Sequence, residues 1–448
     1  MISNCDFITS ILNIKKEDIE ELDANYINDV LYYDLKFKRN KKECEYCKGR
    51  LIGHGIKVKT INHPCVRDFK GIIRYKANRY ICKDCNSTCL EDNPFTFKGF
   101  NSSYLLIEDV MKLLGNLNYN LDMFSKELNI STTQINKYLD SYIVIPKREL
   151  PESIGIDEIH SPELSYKNSS YLCVIVDNNT RKIYDVLGSR SKNYLSNHFT
   201  AIRKEEREKV KYVTIDMWEP YKIVAKEAFP NCIVAVDPFH FIKHLCDDFN
   251  RLRLNLMNQC EYNSNAYYLL KKWHFLLEKD DVNLDNEKKF NKRFGCKLNR
   301  RDIKDMLLET FPTIANAYYL KEEFRKFVKT YSYNEAKAAY DDYLKAFIEA
   351  DIKEYKEFIE ILKNWKEEIL NSFLRPYNDH KLSNALTENI NGKINTYLTV
   401  SRGISNFTRF RKRVLFSLNP NTYYSLTNCL KSDSYKSKAR VKYNKVKE

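Results

Sequence analysis

The chain has 448 residues, 43% hydrophobic and 30% charged, enough for several domains with separate cores. Seventy-four Lys and Arg against sixty Asp and Glu leave a formal charge of +14, which points to a polyanion, most commonly nucleic acid, as partner. No run approaches the roughly 18–20 apolar residues of a membrane helix, and MISNCDFITSILNIKKEDIE lacks the pattern of a secretory signal, so no membrane association is expected and the cytoplasm is the expected compartment.

Residues 1–40 read as a short helical lead-in. Residues 41–98 are turn-rich, with β-like runs such as IIRYKANRYIC. Six of the thirteen cysteines crowd into residues 44–89. In a reducing compartment that clustering indicates metal rather than disulfides. Cys44 and Cys47 form one C-x-x-C pair, and Cys82 and Cys85 form another after thirty-four residues. Together they supply the four soft ligands of one structural Zn²⁺. A hairpin at 70–81 would bring the pairs together. Cys65 and Cys89 read as spectators, with His54 and His63 as competing ligands. The zinc-ribbon-like module is placed at 1–98.

Residues 99–148 are assigned to a helix-turn-helix. A short amphipathic helix ends near Leu128, Asn129 suits a left-handed turn, and Ser131 with Gln134 forms the pattern of a capping box. Ile135 and Leu139 would face inward. Thr132, Thr133, Gln134 and Lys137 would face outward, where a recognition helix meets DNA. The motif alone fits an ordinary helical hairpin better; the metal module and the basic chain tip the reading to DNA.

From 153 to 237 apolar runs alternate with amphipathic stretches. Strands are predicted at 153–159, 171–177, 182–188, 211–216 and 232–237, with helices at 193–206, at 221–229 and after Asp237. The order βββαβαβα fits an α/β fold with a ribonuclease-H-like mixed sheet, whose first part spans 149–250. The first and fourth strands of that topology are parallel neighbours, so Asp157 and Asp216 would meet at one sheet edge. A helical insertion follows at 251–378, without a strand signal. Residues 379–418 hold a final helix at 382–398 and a basic segment. Residues 419–448 read as a basic, disordered tail.

Glu388 is the third acid, on a helix with Leu386, Ile390, Ile394 and Tyr397 as its buried stripe. Asn384, Glu388, Asn391 and Asn395 form its polar face. Three carboxylates suit two Mg²⁺ or Mn²⁺ ions, hard cations that activate the attacking and stabilise the leaving oxygen of a phosphoryl displacement. Asp177, Asp185 and Asp237 are rival acids with ordinary turn or cap readings, and Glu158 adjoins Asp157. Lys393, Arg402, Arg409, Arg411, Lys412 and Arg413 are candidates for phosphate contacts.

Taken in order, CEYC and CKDC, Gly155-Ile156-Asp157-Glu158, Asp216-Met217-Trp218-Glu219-Pro220-Tyr221, Asp237-Pro238-Phe239-His240, Ser383-Asn384 through Lys393-Ile394, and Arg402 through Arg413 resemble the insertion-sequence transposases of the ISL-three family. The resemblance covers nearly the whole chain to about Phe416. It implies a DDE transposase with Asp157, Asp216 and Glu388 as catalytic residues. It further implies binding of terminal inverted repeats, strand cleavage, transfer of 3′ ends to target DNA, and a homodimer or larger synaptic oligomer. The alternatives are a non-catalytic zinc and helix-turn-helix regulator and a structure-selective nuclease on the same fold.

Overall fold

A computed structural model describes residues 4–66, 69–97, 100–166, 169–279, 281–377, 380–401 and 403–426. The chain folds as two compact units, one of residues 1–147 with 393–448 and one of residues 148–392.

The first unit opens with helix α1 (Asn4–Leu12) and then a hairpin, β1 (Ile19–Ile27) and β2 (Val30–Phe37), where a helical lead-in was expected. Asn28 and Asp29 make its two-residue turn, with φ of 50° and 60°. Asn and Asp tolerate that left-handed geometry, whose twist matches antiparallel strands. Strands β3 (Leu51–Val66), β4 (Phe69–Cys82) and β5 (Thr88–Leu90) complete a sheet in the order β1-β2-β4-β3, with β5 on β4. Residues 70–81 are therefore a single strand rather than a hairpin, and their hairpin partner is β3. Leu35, Ile61, Ile73, Tyr75 and Phe95 form the core beneath this sheet. Helices α2 (Tyr104–Leu114), α3 (Leu121–Leu128) and α4 (Thr132–Tyr142) pack around Leu106, Val110, Phe124, Ile135 and Leu139, and β6 (Ile143–Val144) follows.

The second unit is built on five strands, β7 (Ser153–His160), β8 (Tyr171–Asp177), β9 (Lys182–Leu187), β10 (Tyr212–Ile215) and β11 (Ile233–Val236). Their order is β11-β10-β7-β8-β9. The strands β7, β10 and β11 run parallel, and β8 and β9 pair antiparallel at the other side. Helices α5 (Lys192–Thr200), α6 (Lys204–Arg207), α7 (Glu219–Ala228) and α8 (Pro238–Gln259) follow the strands. The helix expected over 193–206 is thus broken at 201–203. Ile154, Ile156, Ile175, Val213, Ile215, Val224, Val236 and Phe241 belong to one core. Burial on both faces explains the unbroken apolar runs of these strands.

The insertion holds α9 (Asn265–Lys272), α10 (Phe275–Glu278), a hairpin of β12 (Lys289–Asn291) and β13 (Cys296–Leu298), then α11 (Arg300–Thr310), α12 (Pro312–Thr330), α13 (Tyr333–Glu349), α14 (Lys356–Asn364) and α15 (Lys366–Asn371). The hairpin corrects the purely helical expectation; three-residue strands are too short for a period-2 signal to register. Phe324, Phe327, Phe347 and Phe358 interlock edge to face or tilted at the centre of the helices, with centroids 5.1–5.7 Å apart.

Helix α16 (Ala385–Ser401) starts in the second unit and ends in the first, where α17 (Phe407–Leu418) and β14 (Tyr423–Tyr424) follow. The pairing of β14 with β6 means that the segment expected as a disordered tail is folded at its start; the rest of that tail, from residue 427, lies outside the described residues. No described helix is long and apolar enough to cross a membrane.

Candidate active site

The parallel ladder of β7 and β10 joins Ser153–Gly155 to Tyr212–Thr214. Both chains then run on past their last paired residues. This C-terminal edge of parallel strands is where open α/β sheets hold their chemistry. There Asp157, Glu158 and Asp216 bring one oxygen each within 4.8 Å of one another. Next along the edge, Asp237 directly follows β11 and clusters with His240 on the first turn of α8 and Glu388 on α16. The three predicted acids therefore divide between two adjoining groups. Asp157 and Asp216 sit in one and Glu388 in the other, while the ionisation of Asp157 is opposed by Glu158, Asp237 and Glu388 alike.

Burial dominates the electrostatics. Asp216 is 9% exposed and Asp237 2%. Desolvation, with the charges of Glu158 and Asp157, pushes the Asp216 carboxyl up to about 8. Desolvation and its acidic neighbours raise Asp157 to about 7. Burial also raises Asp237, and burial with the charge of Asp237 raises Glu388. Burial lowers His240. One oxygen of Asp216, Oδ1, has no hydrogen-bond partner, and neither does Oδ2 of Asp237 or Oε2 of Glu158. Among the described residues no cation pairs with Asp157 or Asp216. Arg190 binds Glu158 Oε1 at 2.5 Å and lies over the rings of Tyr171 and Trp218.

Clustered carboxylates that repel one another, with no basic partner for Asp157 or Asp216 among the described residues, form a donor set suited to hard divalent cations. Asp157, Asp216 and Glu388 fit the expected ions. Glu158 and Asp237, read from the sequence only as a neighbour and a rival, stand with them, and His240 was missed. Their signal was position: Glu158 sits beside Asp157 in β7, Asp237 directly follows β11, and His240 lies in the first turn of α8. Of the other rivals, Asp177 caps the turn after β8, accepting from Asn179 N, Thr180 N and Thr180 Oγ1. Asp185 accepts from Val186 N and belongs to neither cluster.

Helix α16 meets the sheet differently from the expectation. Asn384, Thr387 and Asn391 are buried, Glu388 and Asn395 are exposed, and Leu386 is only half-buried. Asn384 donates to Ile156 O at 3.0 Å, and Asn391 donates to Asp157 Oδ2 at 2.9 Å and Glu158 O at 3.4 Å. The polar face seen in the sequence is thus the face that docks on β7, since its amides satisfy strand carbonyls that no neighbouring strand reaches. Gly155 permits this approach: a Cβ there would lie 2.6 Å from Val176 Cγ2 and 3.0 Å from Asn384 Oδ1.

In the first unit Cys44, Cys47, Cys82 and Cys85 converge, because β3 begins opposite the end of β4, Leu51 against Cys82. Sulfur separations of 3.7 Å (Cys44–Cys85) and 3.4 Å (Cys47–Cys82) approach the edge of about 3.8 Å that a tetrahedron of Zn–S bonds near 2.3 Å would have. The hydrogen bond from the Ser87 hydroxyl holds the Cys44 thiol down to about 6. Cys65 and Cys89 stay outside the cluster. His54 is exposed, and His63 is buried against Ser103 Oγ, so neither competes as a ligand.

Asn129 ends α3 in the left-handed region at φ 51°, and Ser131 Oγ caps α4 through Gln134 N. The return bond of a capping box is not made; the Gln134 side chain turns to the Tyr138 hydroxyl instead. Ile135 and Leu139 are buried, Thr133 and Lys137 exposed, and Thr132 and Gln134 half-buried. Of the basic residues, Lys393 is exposed. Arg409 is paired with Asp140 at 2.7 Å, and Lys412 donates to Asp140 O. Arg411 is half-buried, and Arg402 lies outside the described residues. Arg413 is not a phosphate ligand. It is 1% exposed, and its two terminal nitrogens donate to Tyr397 Oη, Asn116 O and Tyr119 O above the ring of Phe124.

A family of DDE transposases of the ISL-three type, described as "Transposase", matches residues 154–414, which include every acid of the two clusters. The chain is also 22% identical over 354 residues to the transposase for insertion sequence element IS1001 of Bordetella parapertussis, covering 78% of this chain and 82% of that protein.

Proposed function

From the premise that this chain belongs to the ISL-three family of DDE transposases, we propose that it binds the terminal inverted repeats of its element, cuts there and joins the 3′ ends to target DNA. The observation that carries this reading is the cation-poor edge of carboxylates where Asp216 and Asp237 are buried, Asp157 and Glu158 are half-buried in β7, and Glu388 of α16, itself exposed, clusters with Asp237. The strand order, three parallel strands flanked by an antiparallel pair, supports a ribonuclease-H-like core.

In this reading Asp157 and Asp216 hold divalent metal together with Glu388, and Glu158 and Asp237 add oxygen ligands. Mg²⁺ or Mn²⁺, two ions in the expected site, would polarise the attacking water or 3′-hydroxyl and stabilise the leaving oxygen. The chain's own work is positioning. Asn391 and the Glu158 amide each hold one oxygen of Asp157, leaving a lone pair on each for a ligand. Arg190 fixes Glu158 by Oε1 and leaves Oε2 without a hydrogen-bond partner. The four cysteines hold one structural zinc ion. The pair α3–α4 acts as a helix-turn-helix, with Thr133 and Lys137 outermost and Thr132 and Gln134 beside them, and Lys393, Arg409, Arg411 and Lys412 flank the DNA. Joining two element ends to one target calls for at least two copies.

The test uses a labelled duplex carrying the element end, Mg²⁺, and Asp157→Asn, Asp216→Asn and Glu388→Gln beside wild type. Wild type should nick at the end and join it to target, and each variant should bind without cutting. Wild type that binds but never cuts in Mg²⁺ or Mn²⁺ would sink the reading.

A further inference from the structure

The insertion carries a surface that the catalytic site does not use. Between β12 and β13 the chain turns through Lys292–Gly295, where Phe294 N and Gly295 N both donate to Asn291 O and Gly295 takes φ +66°. Phe294 and Leu298 pack on the core, Phe294 with its ring 5.9 Å from that of Tyr268, and so tie the hairpin down. Phe290 is left 62% exposed, directly across the ladder from Lys297.

Around that ring the charges are unbalanced. Of the nearby acids, Asp302 pairs with Lys288 at 2.9 Å and Asp285 with Arg301 at 2.7 Å, while Glu287 is exposed. Lys272, Lys289, Lys292 and Lys297 are exposed, with no carboxylate partner among the described residues. An open cavity of about 780 Å³ lies here, walled by Tyr268, Lys272, Lys289, Phe290, Lys292 and Arg300. A large exposed ring among unpaired cations is poorly placed for packing and well placed for a nucleic-acid strand, whose bases stack on aromatic faces while lysines meet its phosphates. A base can reach such a ring only when it is out of a duplex stack.

Given an enzyme that processes DNA, we infer that the β12–β13 hairpin and its cavity bind an unpaired DNA strand, with a base stacked on Phe290 and the backbone held by Lys289, Lys292 and Arg300. Ca²⁺ in place of Mg²⁺ keeps the test free of strand cutting. The full-length protein is titrated with a 20-nucleotide single strand of mixed sequence and with the fully paired duplex of the same sequence. Phe290→Ala should weaken single-strand binding roughly tenfold and leave duplex binding unchanged, and Phe290→Trp should bind the single strand like wild type. Replacing Lys289 and Lys292 together with Ala should flatten the salt dependence on the single strand by about 1.4 in log–log slope, at ~0.7 per phosphate contact. Phe290→Ala that binds the single strand as wild type does, or that loses both DNAs equally, overturns the inference. Because binding is read without chemistry, these outcomes are separate from the cleavage assay. Cutting without a Phe290 effect refutes only the hairpin, and a Phe290 effect without cutting refutes only the transposase reading.

Discussion

Replacing Asp216 with Asn should stabilise the second unit in the absence of divalent metal while abolishing its proposed chemistry. An aspartate ordinarily ionises near pH 4, but in the folded chain burial and its acidic neighbours delay Asp216 to about 8. The folded state therefore keeps a proton that the unfolded chain releases. That favours folding at low pH, and the advantage is lost as pH rises from about 4 to about 8. Each pH unit in that window removes on the order of 1.4 kcal/mol, so at pH 7 the group costs on the order of 4 kcal/mol. Asn carries no proton to hold, and removing the charge also eases Asp157. The assay is urea unfolding in buffer without Mg²⁺ but with zinc retained, followed by tryptophan fluorescence. All three tryptophans, Trp218, Trp273 and Trp365, lie in the second unit, so the signal reports that unit. At pH 7 the Asn variant should unfold at roughly 1 M higher urea, taking an m-value near 3 kcal/mol/M, and near pH 4 the two midpoints should coincide. Millimolar Mg²⁺ should raise the wild-type midpoint at pH 7 and leave the variant's nearly still. Parallel pH profiles for the two proteins would refute the reasoning, because they would mean that Asp216 ionises freely in the fold.

The four thiols predict one zinc ion per chain by elemental analysis. Cys82→Ser should lose it and expose residues 19–90 to protease, with the tryptophan transition of the second unit unmoved. Arg413→Ala strands two backbone carbonyls in a buried site and should destabilise the first unit by about 2–4 kcal/mol in thermal unfolding. Arg409→Ala, at a half-exposed ion pair, should change it by less than about 1 kcal/mol. Arg190→Ala frees Glu158 from its cationic partner and should raise the Mg²⁺ concentration for half-maximal cleavage several-fold, with a smaller change in rate at saturating metal. An equal loss at every Mg²⁺ concentration would show that Arg190 does not act through the metal ligands. Gly155→Ala drives a Cβ against Val176 and Asn384 and should destabilise the second unit by about 1–3 kcal/mol, read by the same fluorescence assay.

Much of this was legible in the residues because the signals were local. Two C-x-x-C pairs announce a tetrahedral ligand set before any strand is placed. Apolar runs ending in Asp216 and Asp237 mark strand ends, because a buried parallel strand has no polar position until it leaves the sheet, whereas Asp157 ends the apolar run of β7 but stays in the strand, paired with Val174. Ser131 and Asn129 mark the ends of two helices by backbone conformations that few other residues adopt readily. What the residues left open was decided by packing between segments far apart in the chain. The polar face of α16 is docked rather than open because Asn384 and Asn391 find unpaired strand atoms at the edge of β7, more than 220 residues earlier. Arg413 looks like any basic residue after the site until α17 folds back to cover Asn116 and Tyr119 with it. The sequence by itself thus determined the ligand types, the strand ends and the family. Only the tertiary structure decided which charges are buried, because burial depends on what lies across the gap, and no spacing within a segment records that.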